Sequence, residues 1–90
     1  MKVKVKSEQE LLKQNQQQGF LDENFKPVDF LLRGLNEQIK EISGKTFEVT
    51  EHYDINNKLI GYDYPWFEKD GKTYYGFLDI SDVEEVISED

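Results

Sequence analysis

The sequence predicts an α+β protein, and three of its features support this fold class. Val3 and Val5 alternate with lysines, which is the period-two pattern of a half-buried strand. Further along, apolar residues recur at three- and four-residue intervals, as on one face of a helix. Seven aromatic residues then lie within positions 62–77, around an Asp70-Gly71 pair that is typical of a β-hairpin turn.

We therefore expect an N-terminal strand, two helices, and then an antiparallel meander of three or four strands curled into an SH3-like partial barrel. Strands that are neighbours in the sequence usually pair, which makes this arrangement economical. A ferredoxin-like sandwich is the main alternative. Ninety residues provide one modest core, so residues 1–90 are treated as a single domain, and neither a linker nor an internal repeat is evident.

The composition also indicates a compartment. The chain has no cysteine, which excludes disulfides and thiolate metal sites and argues against secretion. The basic N-terminus is followed by Ser7-Glu8-Gln9-Glu10 and not by an apolar run, so it does not have the pattern of a signal peptide. No stretch approaches the roughly twenty apolar residues that cross a bilayer. We expect a cytoplasmic protein without membrane contact.

The first half of the chain contains the first strand and both predicted helices. Met1 to Lys6 is predicted to be a strand whose lysine row suits an unpaired edge. Ser7 and Glu10 have capping-box spacing, which starts a helix that ends near Gly19. Between the helices we predict an ordered loop in which Phe20 and Phe25 pack on the core. The principal helix is predicted to begin at Pro27 and end at Ser43-Gly44, and its apolar stripe comprises Val28, Leu31, Leu32, Leu35, Ile39 and Ile42.

The second half is predicted to be mostly strands. Lys45 to Tyr53 alternates and reads as one strand. For the hairpin, a two-residue turn would place Lys69 opposite Lys72, so a three-residue loop that pairs Glu68 with Lys72 is favoured.

The favoured register has further consequences. On one face, Trp66 pairs with Tyr74, Tyr64 with Gly76 and Tyr62 with Leu78. The other face carries Phe67, Tyr75 and Phe77. Pro65 cannot donate to a ladder, so its strand is either an edge or bulged. After the hairpin, Ser81 and Glu84 repeat the capping-box spacing and predict a short turn or helix over 79–87.

We find no pattern that indicates catalysis. His52 is the single histidine, lies on the polar face of its strand, and has no nucleophile in view. The segment 54–58 begins like a calcium loop, but Lys58 occupies a position that requires an oxygen ligand and Leu59 replaces the required glycine. We therefore expect no catalytic residue, no metal and no cofactor, and we interpret the protein as not an enzyme.

Charge is the strongest functional signal. Residues 46–90 hold three lysines and twelve acidic residues, a net of −9, within a chain of −8 overall. Such a field repels nucleic acid and attracts basic proteins. The alternative is that the acidic surface only keeps a small protein in solution. Aromatic side chains are the usual anchors of protein interfaces. We therefore predict a protein-binding module that engages a basic protein surface through a set of aromatic and acidic residues: Tyr62, Tyr64, Trp66, Tyr74, Asp63, Glu68, Asp79, Asp82, Glu84 and Glu85.

Three other hypotheses stay open at this point. The acidic half could mimic nucleic acid and inhibit a DNA-binding enzyme, which requires carboxylates spaced like phosphates along one face. A structural or assembly role could use the Lys2, Lys4 and Lys6 edge strand. An enzyme would require a buried carboxylate pair in a pocket. The oligomeric state is not indicated by the sequence.

A resemblance adds an expected origin. Several short segments follow one another in a recognisable order: Val3 to Ser7, Glu10-Leu11, Ser43-Gly44-Lys45 with the following Thr46 to Val49, and, after the Trp/Tyr hairpin, Asp82 to Glu85. In this respect the chain resembles small uncharacterised proteins of phages and prophages of low-GC Gram-positive bacteria. The resemblance implies an accessory gene product with an SH3-like small barrel and no catalytic residues. The Gln-rich helix and the 20–26 loop depart from that pattern.

Overall fold

A computed structural model describes residues 1–87, and it confirms the α+β class. No helix in this described part is long and apolar enough to cross a membrane. Two 3-10 turns, Phe30–Leu32 and Ile80–Asp82, lie between the main elements. The elements in chain order are β1 Lys2–Val5, α1 Glu8–Gln17, α2 Leu35–Ile42, β2 Thr46–Glu48, β3 Thr50–Tyr53, β4 Leu59–Lys69, β5 Lys72–Asp79 and β6 Val83–Ile87.

The chain divides into two compact units. Unit 1 comprises Met1–Val5 and the chain from Thr46 onward, and it contains all six strands. Unit 2 is Lys6–Lys45, which contains both helices and is inserted between β1 and β2. Its two ends are joined by a hydrogen bond in which Gly44 N donates to Lys6 O at 3.0 Å. The helical segment is thus a long connection between two paired strands.

The strands of unit 1 form two antiparallel sheets with the orders β2-β1-β6 and β3-β4-β5. The second sheet is the predicted meander. The rings of Phe47 and Tyr64 join the two sheets, with centroids 4.9 Å apart. The buried residues of this unit are Val3, Val5, Val49, Tyr62, Tyr64 and Leu78. Closure into an SH3-like barrel is not confirmed, and the single sheet of a ferredoxin-like sandwich is not observed.

β1 is not an edge strand, so the prediction for its lysine row is wrong. It pairs with β2 on one side and β6 on the other. Lys4 lies opposite Glu85 and forms an ion pair with Glu84 at 3.3 Å. Lys4 therefore lies beside two acidic residues of β6. The free edge that an assembly role through this strand requires is absent.

The predicted strand 45–53 is interrupted at Val49. Val49 is buried, and its N–H donates to Met1 O at 2.8 Å, which extends the pairing of β2 with β1 by one position. The chain passes from one sheet to the other at this residue, so β2 and β3 belong to different sheets. The alternation of the sequence predicts a strand correctly on each side of the break. It does not show where the chain leaves one sheet for the other.

The C-terminal prediction of a helix is also wrong beyond Asp82. Asp79, and not Ser81, caps the short 3-10 turn, in a reciprocal box with Asp82. The chain then becomes β6 and pairs with β1. Val83, Val86 and Ile87 are β-branched, which favours a strand over a helix. Pairing with the hydrophobic β1 outweighs the local capping signal.

In unit 2, the predicted first helix is confirmed. Ser7 is the N-cap, its Oγ accepts from Glu10 N at 3.2 Å, and the same hydroxyl donates to Glu10 Oε1 at 3.0 Å. The helix ends at Gln17, and Gly19 follows with a φ of 84°, the left-handed conformation that glycine allows at a helix end. Leu11 is the one buried residue of α1.

The predicted principal helix is only half correct. α2 begins at Leu35, ends at Ile42 and buries Ile39 and Ile42 as expected. Before it, Asp29 caps a separate 3-10 turn by accepting from Leu31 N at 2.9 Å, and the chain breaks at Gly34. A glycine inside a helix costs about 1 kcal/mol relative to alanine, and a local aspartate cap competes with helix continuation.

The loop before this turn also differs from its prediction. Leu21 is its buried residue and forms a bridge with Pro27, whereas Phe20 is exposed and Phe25 is half-buried. Pro27 consequently lies in a short antiparallel pairing and does not start a helix. Because proline has no backbone N–H to donate, it is compatible both with the first turn of a helix and with this short pairing.

Two loops of the chain share one structure that the sequence analysis did not identify. Asp22–Lys26 and Asp54–Lys58 both read Asp-x-Asn-x-Lys. In each, the aspartate Oδ1 accepts from the third and fifth backbone N–H groups at 2.8 and 3.0 Å. The fourth residue has a positive φ, 59° at Phe25 and 64° at Asn57. The shared pattern contains only three identities, which is too short to be detected as a repeat.

We expect Asp54→Ala to lower the free energy of unfolding by about 1 kcal/mol, because two loop N–H groups lose their acceptor. Asp54→Asn is the matched control, since its amide oxygen can still accept both bonds. Urea unfolding monitored by tryptophan fluorescence provides the measurement. If the alanine and asparagine variants unfold at the same midpoint as wild type, the carboxylate does not hold the loop.

Candidate protein-binding surface

The hairpin β4-β5 turns through two residues, so the predicted three-residue loop is wrong. Asp70 and Gly71 have φ values of 53° and 77°, as a type I′ turn requires, and Lys69 lies opposite Lys72. Both lysines are exposed. Water therefore screens their repulsion, and the match between the type I′ twist and the strand twist outweighs the like-charge pair.

A bulge in β4 then changes which aromatic residues face each other. The register shifts between Pro65 and Phe67, which confirms one of the two predicted outcomes for the proline. Phe67, and not Trp66, pairs with Tyr74, and their rings stack with centroids 4.8 Å apart and 13° between planes. Trp66 is the extra residue and contacts the edge of Phe67 at 5.0 Å. These three rings form one exposed group.

Below the bulge, the predicted pairs Tyr64 with Gly76 and Tyr62 with Leu78 are confirmed. Tyr62 and Tyr64 are only 5% and 2% exposed. The ring of Tyr64 lies directly over Gly76, where a Cβ would be 2.5 Å from it. Both tyrosines belong to the core of unit 1, so neither can contact a partner in this structure.

The other face of the hairpin carries a second aromatic group. Tyr75 is 63% exposed, and Phe77 packs over Gly61. On the neighbouring strand β3, His52 contacts the ring of Phe77 edge-on, and its Nδ1 lies 3.0 Å from Asp63 Oδ2. The predicted site residue Asp63 is thus held beside Phe77, its cross-strand partner. This face combines aromatic rings with a half-buried carboxylate.

The remaining acidic residues of the predicted site lie on different elements. Glu68 is exposed near the end of β4. Asp79 accepts from Ser81 N, and Asp82 accepts from Asp79 N, each at 3.0 Å. Glu84 pairs with Lys4, and its exposed neighbour Glu85 lies opposite Lys4 in β6. This distribution gives no support to a nucleic-acid mimic, which needs carboxylates in one row.

One ionisable group near this sheet has a shifted pKa. The Tyr53 hydroxyl donates to Glu51 Oε2 at 2.7 Å. This hydrogen bond, together with desolvation and the negative charge of Glu51, raises the pKa of Tyr53, because each favours the neutral phenol. This hydrogen bond joins two side chains of β3.

The exposed aromatic residues of the hairpin form the candidate site, which we call the aromatic hairpin: Trp66, Phe67, Tyr74, Tyr75 and Phe77. Only Trp66 and Tyr74 of these were predicted as anchors. The sequence shows that all five are aromatic, but it does not show that all five are exposed. The density of rings around Asp70-Gly71 was the available signal.

Unit 2 has an exposed apolar group of its own. Val28, Phe30 and Leu31 are all exposed, and Leu31 reaches 82%. The guanidinium of Arg33 lies 4.5 Å from the centre of the Phe30 ring. Val28 and Leu31 belong to the helical stripe that was predicted to pack inward, so that prediction is wrong at both positions.

Within residues 1–87, no three His, Asp or Glu side chains are grouped so that they could hold a metal ion. No protein-family model, curated protein or solved structure matches the chain. The relation to phage and prophage proteins therefore stays a prediction.

Proposed function

We propose that the protein is a non-enzymatic binding module whose aromatic hairpin engages a basic surface on another protein. The observation that supports this proposal most is the exposure of all five rings on one hairpin, with Trp66 at 54%. Soluble proteins usually bury such side chains, and contiguous exposed groups mark interaction sites. Tryptophan and tyrosine contribute most to binding at protein interfaces.

The sign of the charge favours a basic partner. Residues 46–90 carry a net charge of −9. Asp63 and Glu68 lie on the same strand as Trp66 and Phe67. A field of this sign accelerates encounter with positive surfaces, whereas the aromatic rings supply the contact area that holds the complex. Arg and Lys can also stack on exposed rings, which couples the two features.

We expect Trp66→Ala to weaken binding of the partner by about tenfold or more, since it removes the largest exposed ring. The protein, immobilised through its N-terminus, is exposed to cell lysate at low salt, and the retained proteins are identified by mass spectrometry. Ile55→Ala is the matched control, because Ile55 is 100% exposed in a loop outside the hairpin. Wild type and the Ile55 variant should retain the same basic proteins, and the Trp66 variant should lose them.

Salt provides the second test of this proposal. Because the attraction is electrostatic, retention should fall steeply as ionic strength rises. Retention of acidic proteins, or of the same proteins by wild type and Trp66→Ala at every salt concentration, would contradict the proposed surface.

A further inference from the structure

We propose that the partner binds by strand addition: an extended basic segment pairs with the free edge of β5 and extends the sheet β3-β4-β5. This inference rests on the proposed function and specifies how the aromatic hairpin makes contact. In strand addition, backbone hydrogen bonds supply affinity and alternate side chains supply specificity.

β5 is the suitable edge among the strands of residues 1–87. It lies at the end of its sheet, runs for eight residues and has no register shift of its own. The other edges are less suitable. β2 has three residues and β3 has four, whereas β6 has five and carries an extra residue, Glu84, opposite β1. Only β5 offers a long, regular template.

The turn determines which backbone groups of β5 face outward. In a two-residue hairpin, the residues that flank the turn exchange hydrogen bonds, and the pattern then alternates along the strand. Lys72 therefore faces β4, and so do the alternate residues after it. Thr73, Tyr75 and Phe77 direct N–H and C=O away from β4, and these groups have no backbone partner within the described residues.

The end of the edge supports this assignment. Asp79 is the next outward residue in the same alternation, and its N–H donates to Asp82 Oδ2 at 3.0 Å. The side chain of Asp82 thus satisfies the last outward N–H group of the edge. Within residues 1–87, positions 73, 75 and 77 have no such closure, so three successive outward positions are available to a second strand.

The edge also lacks the features that normally prevent pairing. Natural edge strands carry bulges, prolines or central charges that keep other strands away. Between Lys72 and Asp79, β5 contains no proline and no charged residue. Tyr74, Tyr75 and Phe77 are exposed along it. An edge of this kind is a predicted pairing site.

The side chains beside the edge indicate what the added strand should carry. One of its faces would lie beside Tyr75 and Phe77, with Asp63 on the next strand. Lysine or arginine fits there, since it can lie over the rings and approach the carboxylate. The other face would lie beside Tyr74, which favours an apolar residue. A segment that alternates basic and β-branched residues satisfies both faces.

The test uses an end-capped peptide of alternating lysine and valine, added to the ¹⁵N-labelled full-length protein. Amide hydrogen exchange is followed by NMR with and without the peptide. In the free protein, Tyr74, Gly76 and Leu78 should exchange slowly, and Thr73, Tyr75 and Phe77 quickly. Strand addition predicts that the peptide slows exchange at these last three amides, and that a glutamate and valine peptide does not.

Thr73→Pro is the informative variant, because it removes an outward N–H and leaves the ladder to β4 intact. We expect it to weaken peptide binding by about tenfold, the effect of one lost hydrogen bond. Thr73→Val keeps the N–H and the branched side chain, so its affinity should stay within about twofold of wild type. If Thr73→Pro does not fold, the exchange pattern of wild type still decides the question.

Two results would overturn the inference. In the first, the peptide binds and shifts the resonances of Trp66 and Tyr74 but leaves exchange at Thr73, Tyr75 and Phe77 unchanged. The aromatic hairpin would then bind through its side chains alone, and the proposed function would stand without strand addition. In the second, these amides become protected in the protein alone as its concentration rises, which would identify a second copy as the occupant. If the peptide binds nowhere on the aromatic hairpin, the proposed function loses its support as well.

Discussion

Replacing Gly76 with alanine is expected to lower the free energy of unfolding by about 3 kcal/mol, the upper range for overpacking a core. A Cβ at this position would lie 2.5 Å from two ring carbons of Tyr64 and 2.6 Å from its hydroxyl oxygen. Tyr64 is almost fully buried and packs against Phe47 of the opposite sheet. The ring cannot move without opening the contact between the two sheets.

Gly34→Ala is the matched control for this prediction. A Cβ at Gly34 would have no atom within 4 Å, and the φ of −94° suits alanine. Reduced chain entropy in the unfolded state favours alanine there, and the weaker N-cap disfavours it. The two effects should cancel to within about 1 kcal/mol. Equal urea midpoints for the two variants would show that Tyr64 is not confined over Gly76.

The elements that the sequence predicted correctly are those whose signals are local. The Ser7 capping box fixes the start of α1, and Asp70-Gly71 fixes the position of the hairpin turn. The type of turn was wrong, because the repulsion between Lys69 and Lys72 was weighted above the chemistry of the turn. In water, two exposed like charges cost about 1 kcal/mol at 4 Å, and a mismatched turn distorts the whole ladder.

The errors arise where tertiary structure overrides a local pattern. Nothing in the alternation around Val49 shows that the chain leaves one sheet for another there. The strand β6 depends on β1, which is more than seventy residues away in the sequence. The pairing of β6 with β1 outweighs the capping pattern at Ser81, because the β1–β6 ladder and the burial of Val3 and Val5 depend on that pairing.

The sequence predicts which types of residue form the candidate site, but not which individual residues belong to it. The sequence located the aromatic residues and the acidic charge. It could not separate the buried Tyr62 and Tyr64 from the exposed Phe67 and Tyr75. The bulge at Trp66 shifts every later side chain of β4 by one position, so Phe67 lies on the face of Tyr62 and Tyr64 and stacks on Tyr74. Its exposure therefore does not follow from the alternation of the sequence. Pro65 indicated that a bulge was possible but did not specify which residue would be extra.

The apolar stripe of unit 2 provides the clearest test between the sequence pattern and the structure. We expect Leu11→Ala to lower the free energy of unfolding by about 3 kcal/mol, as is typical for truncating a buried leucine. Leu11 is 1% exposed, and it is the one buried residue of α1. Removing its side chain leaves a cavity that a single helix face cannot refill.

Leu31→Ala makes the same chemical change in the same unit and is expected to alter the free energy of unfolding by less than about 0.5 kcal/mol. Leu31 is exposed in the 3-10 turn, although its spacing from Leu35 suggests a common helix face. Both variants are compared by urea unfolding with circular dichroism at 222 nm. A loss of similar size at both positions would mean that residues 27–43 form the continuous helix of the sequence prediction. A loss at Leu11 alone supports the break at Gly34, because only then does Leu31 lie outside the packed stripe.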